Sequence, residues 1–199
     1  MNAIAVLGNG RVGGNLATAL TRAGHQVTAA DRAPGAAAAD AARTADVVIN
    51  ATPGAGSLER LTALREELRG KILVDVSNAT LDAPDGLPAD LLYPGSSLAE
   101  QLQEALPETH VVKTLNTMLF PVMTAPATLT QPPTAYLSGD DPQAKQTVHQ
   151  LLVDLGWHKE WITDLGGIRT ARATEAAILF VPHVIRSSGF TPFAISIAR

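Results

Sequence analysis

The sequence predicts an α/β protein, a Rossmann-type doubly wound, mostly parallel sheet with a short helical C-terminal extension. Three observations carry that expectation. Short apolar runs of strand length alternate with helical patterns through the first two-thirds of the chain. A glycine motif, Gly8-Asn9-Gly10-Arg11-Val12-Gly13, joins the first apolar run to the first helical pattern. Asp31 ends the second apolar run, 18 positions after Gly13, about where this fold meets a ribose.

The elements follow in order. Residues 3–7 read as the first strand and 12–23 as the helix after the glycine turn. Residues 26–30 form a second strand, and the Ala-rich stretch 34–43 reads as a helix begun by Pro34 near its first turn. Strands at 47–51 and 72–76 flank a helical pattern at 58–68. These strands are short and apolar, as strands buried on both faces of a parallel sheet should be. Pro and Gly cluster over 82–94, which predicts an irregular connection. A helix at 97–106 precedes a fifth strand at 111–115. A later unit has a strand at 134–137, a turn through Pro142, a helix at 143–155 and a last strand within 157–163. Residues 168–186 are helical in pattern, and Pro182 is expected to kink or end that helix. The expected division is an NAD(P)-binding Rossmann domain over 1–165 and an extension over 166–199 that covers the site or a dimer interface.

Composition narrows the function. The 199 residues are 46% hydrophobic and 17% charged, with a net charge of −4. That suits one compact domain with a small extension. Lys and Arg are scattered without a basic stripe, so no nucleic-acid partner is expected. The chain has no Cys, which excludes disulfides and thiolate chemistry. The longest apolar run, 176–181, is too short for a bilayer, so no membrane partner is expected. The first strand begins almost at Met1 and leaves no room for a signal peptide, so the expected location is cytoplasmic.

The glycine motif implies a bound dinucleotide. Gly8 permits the tight turn, Gly10 lets a pyrophosphate approach and Gly13 lets the helix pack on the strand. Asn9, Arg11 and Val12 complete the phosphate-binding turn, where the helix N-terminus attracts anions. A carboxylate at Asp31 favours NAD through the ribose hydroxyls, whereas the adjacent Arg32 favours NADP through a 2′-phosphate. A turn cap at Asp31 and a solvated Arg32 are the alternatives.

Thr52-Pro53-Gly54, Ser77-Asn78 and Asn116-Thr117-Met118 each follow an apolar strand. Carboxyl ends of strands are where open α/β sheets bind ligands, although these residues also suit ordinary turns. No catalytic residue and no metal site stands out. None of the five His has metal-ligand spacing. His183 could reach a substrate but equally suits a surface or packing role. Glu175, beside an apolar helical run, is most simply paired with Arg172 at helical spacing. A nucleotide site without an acid–base pair suits hydride transfer between two rings, which needs closeness and orientation more than proton shuttling. The segments 178–181 and 190–193 could cover such a site, build the core or form an interface between copies.

The chain resembles the NADPH-dependent coenzyme F420 reductases, also called F420-dependent NADP oxidoreductases, and their bacterial dinucleotide-binding relatives. The resemblance rests on the stretches 4–13, Ala51-Thr52-Pro53, Val74-Asp75-Val76-Ser77-Asn78, Ser138-Gly139-Asp140-Asp141, Leu155-Gly156-Trp157 and Thr163-Asp164-Leu165-Gly166. Most specific is Val111-Val112-Lys113-Thr114-Leu115-Asn116-Thr117-Met118. It implies hydride exchange between NADP(H), favoured over NAD(H), and a deazaflavin or a flavin such as FMN or FAD. It also implies a homodimer whose C-terminal part shapes the site. By motif position, Gly8 to Gly13 would bind pyrophosphate and Arg32 the 2′-phosphate. Thr52, Pro53 and Asn78 would lie along the nicotinamide half, and Asn116, Thr117 and Met118 would border the deazaflavin. Asp31 stands where the family commonly has Ser. A non-catalytic NAD(P)-binding sensor or subunit is the alternative reading.

Overall fold

The computed structural model describes residues 1–31 and 35–197. Seven strands form one sheet: β1 (Ala3–Leu7), β2 (Gln26–Ala30), β3 (Val47–Asn50), β4 (Ile72–Asp75), β7 (His110–Lys113), β8 (Ala135–Ser138) and β9 (Ile162–Gly166). Two more, β5 (Thr80–Asp82) and β6 (Pro88–Leu91), make a separate antiparallel hairpin. The sheet order is β2-β1-β3-β4-β7-β8-β9. Every neighbouring pair is parallel except β7 and β8, which meet antiparallel at Lys113 and Ser138. The order reverses at β1, which has β2 on one side and β3 on the other. Such a switch point opens a crevice at the carboxyl ends of the strands.

Helices cover both faces. On one lie α1 (Arg11–Arg22), α6 (Phe120–Thr124) and α7 (Pro142–Asp154), packing Leu16, Leu20, Val122, Val148 and Leu152 against Ile4, Val6, Ile49 and Val112. On the other lie α2 (Ala36–Thr44), α3 (Ser57–Thr62), α4 (Arg65–Leu68), α5 (Leu98–Ala105) and α8 (Ala171–Ala176). Their Ala41, Leu61, Leu68, Leu102 and Ala171 pack on Ala5, Leu7, Val48 and Leu73. Alternate residues of the inner strands therefore feed two apolar layers, which is why β1, β3 and β4 are almost wholly apolar, whereas the edge strand β2 is mostly exposed. The last helix is α9 (Val181–Ser188), and the tail beyond it returns antiparallel to the segment after β7. No described helix is long and apolar enough to cross a membrane.

Several expectations need correction. The stretch 82–94 holds most of the β5–β6 hairpin, whose turn uses Gly86 at φ 76°. Residues 58–68 form two short helices rather than one, α3 and α4, broken at 63–64. The fifth strand ends at Lys113, and Leu115 takes φ 61°, a left-handed conformation that a strand cannot hold. The last strand begins only at Ile162, after a 3₁₀ turn at Lys159–Trp161. The segment 168–186 is broken by 3₁₀ turns at Ile168–Thr170 and Ala177–Phe180. Pro182 sits in the first turn of α9, where its missing N–H costs nothing, so it starts a helix instead of ending one. Arg32 and Pro34 lie outside the described residues.

Candidate functional site

A cleft of about 640 Å³ lies over the carboxyl ends of β1, β3 and β4. Its floor begins with the glycine turn. Gly8 has φ 102°, and a Cβ there would lie 2.7 Å from the Ala51 carbonyl oxygen. At Gly13 a Cβ would lie 1.8 Å from the Gly8 carbonyl oxygen, so α1 can sit this close only on a glycine. Gly10, by contrast, faces open space within the cleft. It is also the N-cap of α1 and leaves the first turn without a side-chain cap. Uncapped first-turn N–H groups beside a bare Cα make a cradle that fits a phosphate. Gly8, Asn9, Gly10, Arg11 and Val12 line the cleft, whereas Gly13 lies behind them, packed on Gly8 and Ala51. Arg11 lies over the Phe120 ring, 5.7 Å from its centroid.

Asp31 lines the cleft at the end of β2. Thr52, Pro53 and Gly54 follow β3 and line it too. Gly54 is forced by closeness, since a Cβ would stand 2.0 Å from the Asn78 carbonyl oxygen. Ser77 and Asn78 follow β4, and Asn116 and Met118 follow β7; all four face the cleft. Thr117 does not face it. That residue is buried, and its carbonyl accepts a hydrogen bond from Ile195 N–H at 2.9 Å. With Leu119 N–H donating to the Phe193 carbonyl at 3.1 Å, this ties the C-terminal tail to the rim. Ile178, Val181 and Phe190 close the far wall. His183 is exposed on α9 and does not line the cleft.

Beneath the rim runs a buried polar row absent from the sequence-based reading. Strand register aligns Asn50 with Asp75, Asp75 with Lys113 and Lys113 with Ser138. Each is the last residue of its strand, and none is more than 1% exposed. Asn50 Nδ2 donates to Asp75 Oδ1 at 2.9 Å, and Lys113 Nζ donates to Asp75 Oδ2 at 2.7 Å. Lys113 also meets Glu175 Oε1 at 2.9 Å. Glu175 therefore does not pair with Arg172, which binds Glu100 instead. The Glu175 carboxylate accepts Leu98 N–H at 2.9 Å and Ala99 N–H at 3.2 Å, taking up two uncapped donors of α5. Burial works against the Lys113 charge, but Asp75 and Glu175 outweigh it and hold the ammonium above the usual lysine range. A polar residue closing each of four short strands is the one sequence signal for this row.

The F420-dependent NADP reductase of Methanocaldococcus jannaschii is 32% identical to the chain over 142 residues, 69% of this chain and 60% of that protein. A solved structure from Arthrobacter sp. FB24, provisionally described as an F420-dependent NADP reductase, is 38% identical. It superposes over 100% of both chains with a TM-score of 0.90. The chain belongs to the F420-dependent NADP reductase family. The chain thus spans only about 60% of the length of the curated family member it matches. A hypothetical protein from Sinorhizobium meliloti is 27% identical, with a TM-score of 0.62 over 85% of this chain and 88% of that one. Plasmodium falciparum pyrroline carboxylate reductase, solved with NADP bound, shares the fold at 13% identity. Its TM-score is 0.59 over 92% of this chain and 64% of that one. No protein-family model matches the chain.

Proposed function

We propose that this F420-dependent NADP reductase family member is an oxidoreductase that exchanges hydride between NADP(H) and a deazaflavin of the F420 type. One observation carries the reading. Among the described residues lining the cleft, the charged side chains are Arg11 and Asp31, which follow β1 and β2, with the Arg11 guanidinium over the Phe120 ring. The rest of the cleft is walled by groups such as Thr52, Asn78, Asn116, Met118, Ile178 and Val181. It offers flat apolar contact and neutral hydrogen-bonding groups, with no acid or base. Such a surface suits two stacked rings that exchange hydride directly.

The dinucleotide supplies the chemistry. When bound, it would supply a hydride from its dihydronicotinamide to the acceptor ring, whose accompanying proton would come from solvent. The chain's residues bind and orient. The first turn of α1 and Gly10 receive the pyrophosphate, and Arg11 adds a positive charge beside it. Thr52, Pro53 and Asn78 border the nicotinamide half, and Asn116 and Met118 border the acceptor. Ile178, Val181 and Phe190 limit water at the reacting face.

NADP(H) is favoured over NAD(H) in this reading through Arg32, with Asp31 turned from the 2′-phosphate. Arg32→Ala should then weaken NADPH binding selectively, and preference for NADH in the parent would assign control to Asp31. A homodimer is supported by the exposed apolar side chains Phe180 and Ile197 of the C-terminal part. Sedimentation would measure it. The activity is tested by mixing the protein with NADPH and oxidised F420 and following loss of the deazaflavin absorbance. Turnover with FMN or FAD alone would keep the class and reassign the acceptor. Tight dinucleotide binding without turnover of any acceptor would favour a sensor or subunit.

A further inference from the structure

Lys113 is too well placed to be only a buried counter-ion. Its ammonium carries three protons and has three acceptors: Asp75 Oδ2, Glu175 Oε1 and the Ser77 carbonyl oxygen. Ser77 is held from its other side as well. Its N–H and its hydroxyl both donate to Asp75 Oδ1, at 3.2 and 2.7 Å. The Ser77–Asn78 peptide plane is thereby fixed. In a trans peptide the N–H points opposite to the C=O. With the Ser77 carbonyl held by Lys113, the Asn78 N–H points away from that ammonium, and both Ser77 and Asn78 line the cleft. The Asn78 side chain is already committed to Asn116 through both its amide atoms. The main-chain N–H is a donor this loop offers to a ligand, beside the second hydrogen of Asn78 Nδ2.

We propose that Lys113 is a positioning residue, which sets the Ser77–Asn78 peptide so that the Asn78 N–H binds the carboxamide oxygen of the nicotinamide. The inference rests on the reading above that the nicotinamide occupies this end of the cleft. Through Glu175 the same ammonium ties down α8, one turn before Ile178 on the opposite wall. One buried cation thus references both walls to the sheet edge.

The test compares NADPH with 2′-phospho-ADP-ribose, which keeps the adenosine half and lacks the nicotinamide, by calorimetric titration. Lys113→Met should lose about tenfold in NADPH affinity, the worth of one well-made hydrogen bond, and change by less than about twofold for the fragment. Because Lys113→Met leaves two buried carboxylates facing each other, Lys113→Met with Glu175→Gln is the companion variant, with the same split expected. In the unmodified protein, hydrogen exchange over residues 77–79 should slow with NADPH and not with the fragment. Equal loss for both ligands would show a merely structural role. Unchanged NADPH affinity, or exchange indifferent to the nicotinamide, would overturn the proposal. If the parent protein binds NADPH and the fragment equally, the failure lies in the placement of the nicotinamide instead.

Discussion

Asn78 and Asn116 hold one another across the cleft floor. Asn78 Nδ2 donates to the Asn116 carbonyl oxygen at 2.9 Å, and Asn116 Nδ2 donates to Asn78 Oδ1 at 2.9 Å. The two residues follow different strands, β4 and β7, so the pair locks two rim loops together. Removing either side chain leaves a partly buried partner unpaired. Asn78→Ala and Asn116→Ala should each cost about 1–2 kcal/mol in urea denaturation. The double variant should cost less than their sum by about 1 kcal/mol, because both singles remove the Asn116 Nδ2–Asn78 Oδ1 hydrogen bond, while the Asn116 main-chain carbonyl remains in Asn116→Ala.

The glycines of the first turn should separate by role. Gly13→Ala forces a Cβ onto the Gly8 carbonyl and should destabilise the fold by several kcal/mol, on the order of a core overpacking. Gly10→Ala meets no protein atom and should leave the melting temperature within about 2 °C, while weakening dinucleotide binding. Thermal denaturation with and without NADPH reads both effects.

Glu100 predicts part of the acid sensitivity. Burial raises its pKa, but hydrogen bonds from Arg172 and Ser97 outweigh burial and hold it below its ordinary value of 4.5. The sign follows from the lowered folded value. This contribution is present above pH 4.5 and is lost as pH falls through the folded pKa. Glu100→Gln should lower stability at neutral pH and flatten the acid limb of stability against pH, read by denaturant titration at several pH values.

Thr114 is buried, and its Oγ1 finds no hydrogen-bond partner among the described residues. It borders an apolar void of about 20 Å³ lined by Leu16, Leu20, Leu151 and Leu152. Thr114→Val keeps the shape and removes the unpaired hydroxyl. It should leave stability unchanged or raise it by about 1 kcal/mol in urea denaturation.

The parts of the fold legible in the sequence are those written in local pattern. The first two strands, Ala3–Leu7 and Gln26–Ala30, match the expected 3–7 and 26–30, because apolar run and turn residues coincide there. The glycine turn is legible because its three glycines recur within six residues, although Gly8 is also confined by the distant Ala51 carbonyl. What escaped depends on distant partners. The Pro- and Gly-rich 82–94 conceals strands that exist only as a pair. Lys113 and Glu175 are 62 positions apart, and no local pattern marks either as the other's partner. Arg172 at helical spacing was the obvious partner for Glu175, yet Glu100 competes for it across α5 and α8. Thr117 looked equivalent to its neighbours, and only the returning tail turns it away from the cleft.

The central claim, that this cleft brings a nicotinamide and a second redox ring face to face, is tested most directly by anaerobic mixing of protein, NADPH and oxidised F420. The account predicts bleaching of the deazaflavin band matched mole for mole by loss of the NADPH absorbance. NADPH bound tightly, with neither absorbance changing and no turnover with FMN or FAD, would contradict it.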